Sequence, residues 1–185
     1  MFTGIVQAVG RIVGEDPLEV ESRSLDLSDV SLGDSLCVQG VCLTVTGLTA
    51  RGFTADVSAE TRRVTAGLHA AHEVNLEKSL TLAGKLGGHL VTGHVDGVGE
   101  VLSFAGGALK IRLPHQLARY VARKGSVCVD GVSLTVNKAD GDAFEVFLIP
   151  HTLKSTTLGR LASGSPVNIE VDLIARYVER MLKHD

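Results

Sequence analysis

Through most of the chain, apolar and polar residues alternate over short stretches rather than recurring at helical spacing. Leu36 and Val38 alternate with Ser35, Cys37 and Gln39, and Val41 and Leu43 then open the β-branched run VCLTVT. Short runs of this kind, bounded by turn residues, predict half-buried strands. GFTADVS at 52–58 and AFEVFLIP at 143–150 read as further strands, each entered from a Gly or Asp turn. PHQLARYV at 114–121 opens on a proline and predicts a short helical turn over residues 115–121. Its counterpart earlier in the chain is expected near residues 25–30. The tail differs: over residues 169–185, Ile174, Tyr177, Val178, Met181 and Leu182 fall at i, i+3, i+4, i+7 and i+8, with Arg176, Glu179, Arg180 and Lys183 on the other face. That spacing predicts an amphipathic helix. Its apolar stripe either packs on the chain's own barrel or meets copies of itself.

The strand pattern occurs twice. DSLCVQGVCLTVT at 34–46 matches GSVCVDGVSLTVN at 125–137, with Cys37 and Cys128, Gly40 and Gly131, and Thr44 and Thr135 all 91 positions apart. TGIVQAVGRI at 3–12 matches TGHVDGVGEV at 92–101, and VNLE at 74–77 matches VNIE at 167–170. Several blocks in one order at nearly one offset mean two homologous halves. We expect one unit over 1–88, a second over 89–173, and a helix over 174–185 that belongs to neither. Several short strands in under ninety residues favour a small closed barrel, which leaves no exposed edge. The fold class expected is therefore all-β, two tandem antiparallel barrels plus a C-terminal helix. The glycine-rich GKLGG at 84–88 reads as the linker between them.

Composition narrows the function. The net charge is −3 and no basic block occurs, which disfavours nucleic-acid binding. Tryptophan is absent, and 5 Phe with 2 Tyr are too few for a base-stacking surface. No apolar run is long enough to span a bilayer, and the first residues carry no basic leader. Three cysteines without a CxxC pair argue against a disulfide framework or structural zinc, so a cytoplasmic protein is expected. Neither a Walker A loop nor a GxGxxG helix entry occurs.

A duplicated barrel suggests two similar ligands, one per half, and the informative positions are matched sites of unlike chemistry. Ile5 pairs with His94, Gln39 with Asp130, Cys42 with Ser133, and Glu60 with His151. Cys37 and Cys128 match and read as small core residues. On residue type alone, Cys42 between Val41 and Leu43 is first a buried thiol. Its place at the head of CLT, opposite SLT at 133–135, makes it also a candidate nucleophile. His94, flanked by Gly93, is a candidate acid or base. His89 and His94 lack the ligand spacing of a metal site. His69 and His72 read as solvated loop residues.

MFTGIVQ at the start, GVCLTV at 40–45, GGHLVTGHVDG at 87–97, DGVSLTV at 130–136 and IPHTLKSTTLG at 149–159 together resemble the riboflavin synthase family of alpha-chain type. Similar motifs occur in lumazine-binding fluorescent proteins of the same ancestry. Gln39 stands where the family commonly has Asn, and Thr92 where Ser is frequent.

The resemblance implies two six-stranded barrels per subunit, a homotrimer, and one 6,7-dimethyl-8-ribityllumazine bound per barrel. It implies transfer of a four-carbon unit between two lumazines, giving riboflavin and 5-amino-6-ribitylaminouracil, without metal or cofactor. It also implies that the active pair comes from unlike barrels of neighbouring subunits. Carried over by motif, the N-barrel pocket is expected to take Thr3, Gly4, Ile5 and Val6, then Cys42, Leu43 and Thr44. It also takes residues 56–61: Asp56, Val57, Ser58, Ala59, Glu60 and Thr61. The C-barrel pocket is expected to take Gly93, His94, Val95 and Lys124, then Ser133, Leu134 and Thr135. Residues 149–154 complete it: Ile149, Pro150, His151, Thr152, Leu153 and Lys154. The catalytic candidates are Cys42 for addition at C7, His94 for proton handling, and Ser133 with Asp130 to orient or shuttle protons. The alternative is a lumazine or flavin carrier without catalysis.

Overall fold

The computed structural model describes residues 1–182. Lys183, assigned above to the polar face of the tail, lies outside the described residues. The first half holds β1 (Ala8–Glu15), β2 (Leu18–Glu21), β3 (Ser35–Val38), β4 (Val41–Leu48), β5 (Gly52–Ala55), the short helix α1 (Ala59–Val64) and β6 (Glu73–Lys78). The second holds β7 (Gly97–Ala105), β8 (Ala108–Arg112), β9 (Ser126–Val129), β10 (Val132–Asp140), β11 (Ala143–Phe147), α2 (Pro150–Ser155) and β12 (Pro166–Val171). α3 (Leu173–Leu182) follows.

Each half closes into an antiparallel barrel, β1-β2-β5-β4-β3-β6 in the first and β7-β8-β11-β10-β9-β12 in the second. The two orders are one topology, as the sequence repeat implies. Both barrels also bend at matching places. Register shifts fall between Ile12 and Gly14 and between Val45 and Gly47, and again between Val101 and Ser103 and between Val136 and Lys138. Bulges supply the local curvature that lets so small a sheet close. Alternate residues point inward: Ile12, Val20, Phe53 and Val74 fill one interior, and Val101, Ile111, Phe144 and Val167 the other, all fully buried.

The barrels meet along a pseudo-twofold axis. The β3–β4 and β9–β10 hairpins each turn on two residues in the left-handed region, Gln39 and Gly40 in one, Asp130 and Gly131 in the other. That is the type I′ geometry a two-residue hairpin favours. The two turns sit back to back, so a Cβ on Gly40 would lie 2.8 Å from the Gly131 nitrogen. Asn75 and Asn168 lock the contact reciprocally: Asn75 Nδ2 donates to Asp130 O and Asn168 Nδ2 to Gln39 O, both at 2.9 Å.

The short helical segments depart in part from expectation. A 3-10 turn occupies His115–Tyr120, but residues 25–30 form turns only, with Leu25 and Val30 plugging the first barrel. α1 and α2 were not anticipated. The predicted tail helix begins at Leu173, after residues 169–171 have completed β12. Arg119 pairs with Glu179 at 2.6 Å and Tyr120 donates to the same carboxylate, so the polar side of α3 is tied to its own barrel. Its apolar side is uncovered: Ile174 and Tyr177 are each 64% exposed and Met181 73%. Among the described residues, no helix is long and apolar enough to cross a membrane.

Candidate active site

Two half-sites flank the interface, and each is assembled from both halves of the chain. In the first, β4 brings Cys42, Leu43 and Thr44, with Leu43 buried, Cys42 half-buried and Thr44 exposed. The Cys42 N–H donates outward to Gly93 O at 2.8 Å, which sets His94, exposed, one residue beyond that contact. Gly93 is held in the left-handed region, and a Cβ there would lie 2.6 Å from Cys42 Cβ, so no side chain is tolerated at this approach. Val95 packs on the core of the first barrel, as does Val57.

The second half-site mirrors it. The Ser133 N–H donates to Gly4 O at 2.8 Å, and Val6 packs on the core of the second barrel. Gly4 repeats the constraint: its Cβ would lie 2.6 Å from Ser133 Cβ. The structure therefore differs from the motif-based expectation. Gly4 and Val6 reach the C-terminal barrel, and Gly93 and Val95 the N-terminal one, while Thr3 is held by Glu77 of β6. The segments leading into β1 and β7 cross the axis before entering their own barrels, and an antiparallel bridge between Phe2 and Val91 marks the crossing. The exchange sets Gly93, next to His94, against Cys42, and Gly4, next to Ile5, the match of His94, against Ser133.

A buried glutamate fixes each crossing segment. The Glu77 carboxylate accepts from Thr3 N at 2.8 Å, Thr3 Oγ1 at 2.7 Å and Gly4 N at 3.0 Å. The Glu170 carboxylate accepts from Thr92 N and Thr92 Oγ1, both at 2.7 Å, and from Gly93 N at 2.9 Å. Burial raises the Glu77 pKa, opposed by the hydrogen bonds from Thr3, Gly4 and Ile5. Neither glutamate was singled out from the sequence. The available signal was an acidic residue repeated inside an apolar strand, VNLE and VNIE.

The second half-site also holds His89, whose Nδ1 lies 2.7 Å from Ser133 Oγ. Its Nε2 is buried without a hydrogen-bond partner. Burial lowers its pKa, opposed by the charge of Asp172. Having no counterpart in the first half, His89 left no mark in the repeat.

Other expected site residues line the rims. Asp56, Ser58, Ala59 and Glu60 are exposed, and Val57 and Thr61 half-buried, at the entrance to α1. Ser58 caps that helix, accepting from Thr61 N at 3.0 Å. Glu60 pairs with Arg63 at 2.6 Å, and that hydrogen bond lowers its pKa. Around the second barrel, Leu134 is buried and Thr135 exposed on β10. Ile149, Pro150, His151 and Lys154 are exposed, and Thr152 and Leu153 half-buried, in the corresponding α2 region. Lys124, exposed, is in the left-handed region and donates its N–H to Val136 O at 2.8 Å.

Asp130 is withdrawn from solvent. It lies in the inter-barrel turn, 2% exposed, and its carboxylate accepts Asn168 N–H at 2.7 Å. Burial pushes its pKa up to about 7, partly offset by the Asn168 and Gln39 hydrogen bonds. Its partners, Asn168 and Gln39, are interface groups. A cavity of about 380 Å³ opens beside it, lined also by Gln39, His72, Glu73 and Arg160. It contains neither Cys42 nor Ser133 and belongs to the interface. His72 there is half-buried rather than solvated, its pKa lowered by burial and by nearby His69. Among the described residues, no group of three or more His, Cys, Asp or Glu could hold a metal.

Between the half-sites lies a packed cluster of Phe2, Cys37, Val91 and Cys128, with Cys42 against it. Cys42 and Ser133 stand opposite Cys37 and Cys128 respectively. The half-sites therefore flank a filled interior.

The lumazine binding domain family model matches residues 3–79 and 92–172. A riboflavin synthase of Photobacterium leiognathi is 45% identical, covering 100% of this chain and 90% of that protein. A riboflavin synthase of Mycobacterium tuberculosis (strain ATCC 25618 / H37Rv) is also 45% identical, covering 99% of this chain and 98% of that protein. Among solved structures, LumP complexed with riboflavin superposes with a TM-score of 0.82 at 27% identity, covering 92% of this chain and 99% of that one. LumP complexed with 6,7-dimethyl-8-(1'-D-ribityl) lumazine gives 0.78 at 26% identity, with the same coverage. With the duplicated domain matched in both halves and such identity over its whole length, the chain belongs to the riboflavin synthase family of lumazine-binding proteins.

Proposed function

We propose that the protein is a cytoplasmic transferase of riboflavin biosynthesis that acts on two molecules of 6,7-dimethyl-8-ribityllumazine. One molecule gives a four-carbon unit to the other, and the products are riboflavin and 5-amino-6-ribitylaminouracil. The observation that carries this reading is chemical asymmetry on a symmetric scaffold. One half-site offers Cys42 and His94, and the other, at the same backbone positions, Ser133 and Ile5 with His89 added. A reaction that uses two copies of one molecule in unlike roles needs such a pair, whereas a carrier does not. The stoichiometry balances without an external oxidant or reductant.

Strand-end backbone groups and the hydroxyls of Thr44 and Thr135 are suited to the pyrimidinedione and ribityl groups. Cys42, or a water it positions, adds at C7 of the lumazine in its half-site. His94 is exposed and handles the proton of the C7 methyl of the facing molecule. Ser133, oriented by His89, transfers protons during ring closure and elimination. Because the filled cluster separates the half-sites, the facing pair is assembled between subunits, with the uncovered stripe of α3 as the seam of a homotrimer. Orienting two ligands in this way is worth ~7–11 kcal/mol over a bimolecular encounter. The division into domains follows: 1–88, 89–173 and an oligomerisation helix from 174.

The test is to incubate purified protein with the lumazine alone and follow flavin absorbance. Riboflavin at half the lumazine consumed is the expected result. A tight complex without product, as a LumP-like carrier would give, overturns the enzymatic reading.

A further inference from the structure

Cys37 on β3 stands directly opposite Cys42 on β4. The backbone groups of neither point across the pair. The Cys42 N–H donates outward to Gly93 O, and Cys37 pairs on its other side with Glu77 of β6. In an antiparallel ladder this is the wide, non-hydrogen-bonded position. Cα atoms there are about 4.5 Å apart and the side chains leave from the same face. A disulfide needs Cα atoms roughly 4.4–6.8 Å apart. The two thiols also share one packing layer, since Cys42 lies against the buried cluster that contains Cys37. The second barrel has Ser133 opposite Cys128, so the same bond cannot form there.

We propose that Cys37 and Cys42 are a reversible dithiol switch, closed by hydrogen peroxide, that withdraws the Cys42 sulfur from the first half-site. Cys42 is half-buried and Cys37 only 2% exposed, so the oxidant meets Cys42 first. Burial, with the charges of Glu77 and Glu170, keeps Cys37 a thiol until then. The Cys42 thiolate attacks the O–O bond and becomes a sulfenic acid, releasing hydroxide. The Cys37 sulfur then displaces the sulfenic oxygen, which leaves as water while the S–S bond forms. Two thiols and one peroxide become one disulfide and two waters, and a small dithiol reverses the step. Cys128 is buried in the same cluster and is the competing partner for Cys37, but the oxidant reaches neither of those sulfurs directly. The effect on turnover rests on the function proposed above; the formation of the bond does not.

The full chain is treated with a small excess of hydrogen peroxide, blocked with iodoacetamide and digested with trypsin without reduction. Residues 24–51 contain both Cys37 and Cys42 and no internal Lys or Arg, while Cys128 falls in residues 125–138. The expected product is peptide 24–51 two hydrogens lighter and unalkylated, with riboflavin formation lost in proportion and regained on adding dithiothreitol. Cys37→Ser should be active before oxidation, form no such peptide, and stop at sulfenic or sulfinic Cys42. Peptide 24–51 doubly alkylated after peroxide overturns the proposal, as does its cross-link to 125–138. Disulfide formation that leaves turnover unchanged overturns the switch. A protein that forms the bond but never makes riboflavin contradicts the function and leaves the bond standing.

Discussion

Replacing Glu170 by Gln tests whether the half-site beside Cys42 is held by the crossing segment. One carboxylate oxygen accepts Thr92 N and Thr92 Oγ1, and the other accepts Gly93 N. An amide keeps one acceptor oxygen. If that oxygen faces Thr92, the NH2 group is turned toward the Gly93 N–H, donor against donor. One charge-assisted bond, worth about 1.5–3 kcal/mol, is lost. The other two become neutral bonds of roughly half the strength. The expected penalty is therefore about 3–6 kcal/mol. A segment that stays in place shows it as lost stability; a segment that yields moves Gly93 O away from Cys42 N and carries His94 with it. A displacement of about 1 Å costs on the order of 10²-fold in rate. Riboflavin formation at saturating lumazine and urea unfolding measure the two outcomes. We expect kcat to fall ~10²-fold and Glu170→Gln to be non-additive with His94→Gln, because both act through one side chain. A kcat within twofold of the parent with unchanged unfolding, or full additivity with His94→Gln, refutes the reasoning.

Further expectations concern other groups. Cys42→Ala should cut turnover far more than lumazine affinity; equal losses in equilibrium binding and in kcat/KM would remove it from the chemistry. His89→Ala should lower turnover while leaving lumazine binding to the first barrel intact, read by ligand titration beside the rate. Asp130 gives a pH signature. Its folded pKa, about 7, lies above the unfolded carboxylate value, so the folded state holds a proton that the unfolded state releases. Stability is then greatest below about pH 4 and falls as pH rises to about 7, with a ceiling of ~4 kcal/mol at about 1.4 kcal/mol per unit. Asp130→Asn, which also suits the left-handed turn, should flatten that slope in urea melts across the range; an unchanged slope assigns the titration elsewhere.

Much of the architecture was legible because duplication writes it twice. Strand alternation and the near-constant offset specify two barrels, and the tail's spacing specifies α3. What the repeat could not show is which barrel a matched segment touches. Residues 3–6 and 92–95 align with each other whether or not they cross, and only the contacts of Gly4 with Ser133 and of Gly93 with Cys42 reveal the exchange. α1 and α2 escaped because six residues are too few for a 3.6-residue period to register. Glu77 and Glu170 escaped because buried acids are unusual, and most of their donors are backbone N–H groups that no residue pattern encodes. The burial of Asp130 was not legible, because a buried interface carboxylate and an exposed one look alike in sequence.

The central claim is that a productive site joins the Cys42 half-site of one chain to the Ser133 half-site of another. A Cys42→Ala/His94→Ala chain and a Ser133→Ala/His89→Ala chain are each expected to be nearly inactive alone. Unfolded together and refolded as a mixture, they should regain about a quarter of parental turnover, the share of junctions in a closed ring that receive both intact halves. No regain, with both variants still binding lumazine and assembling, would contradict the account.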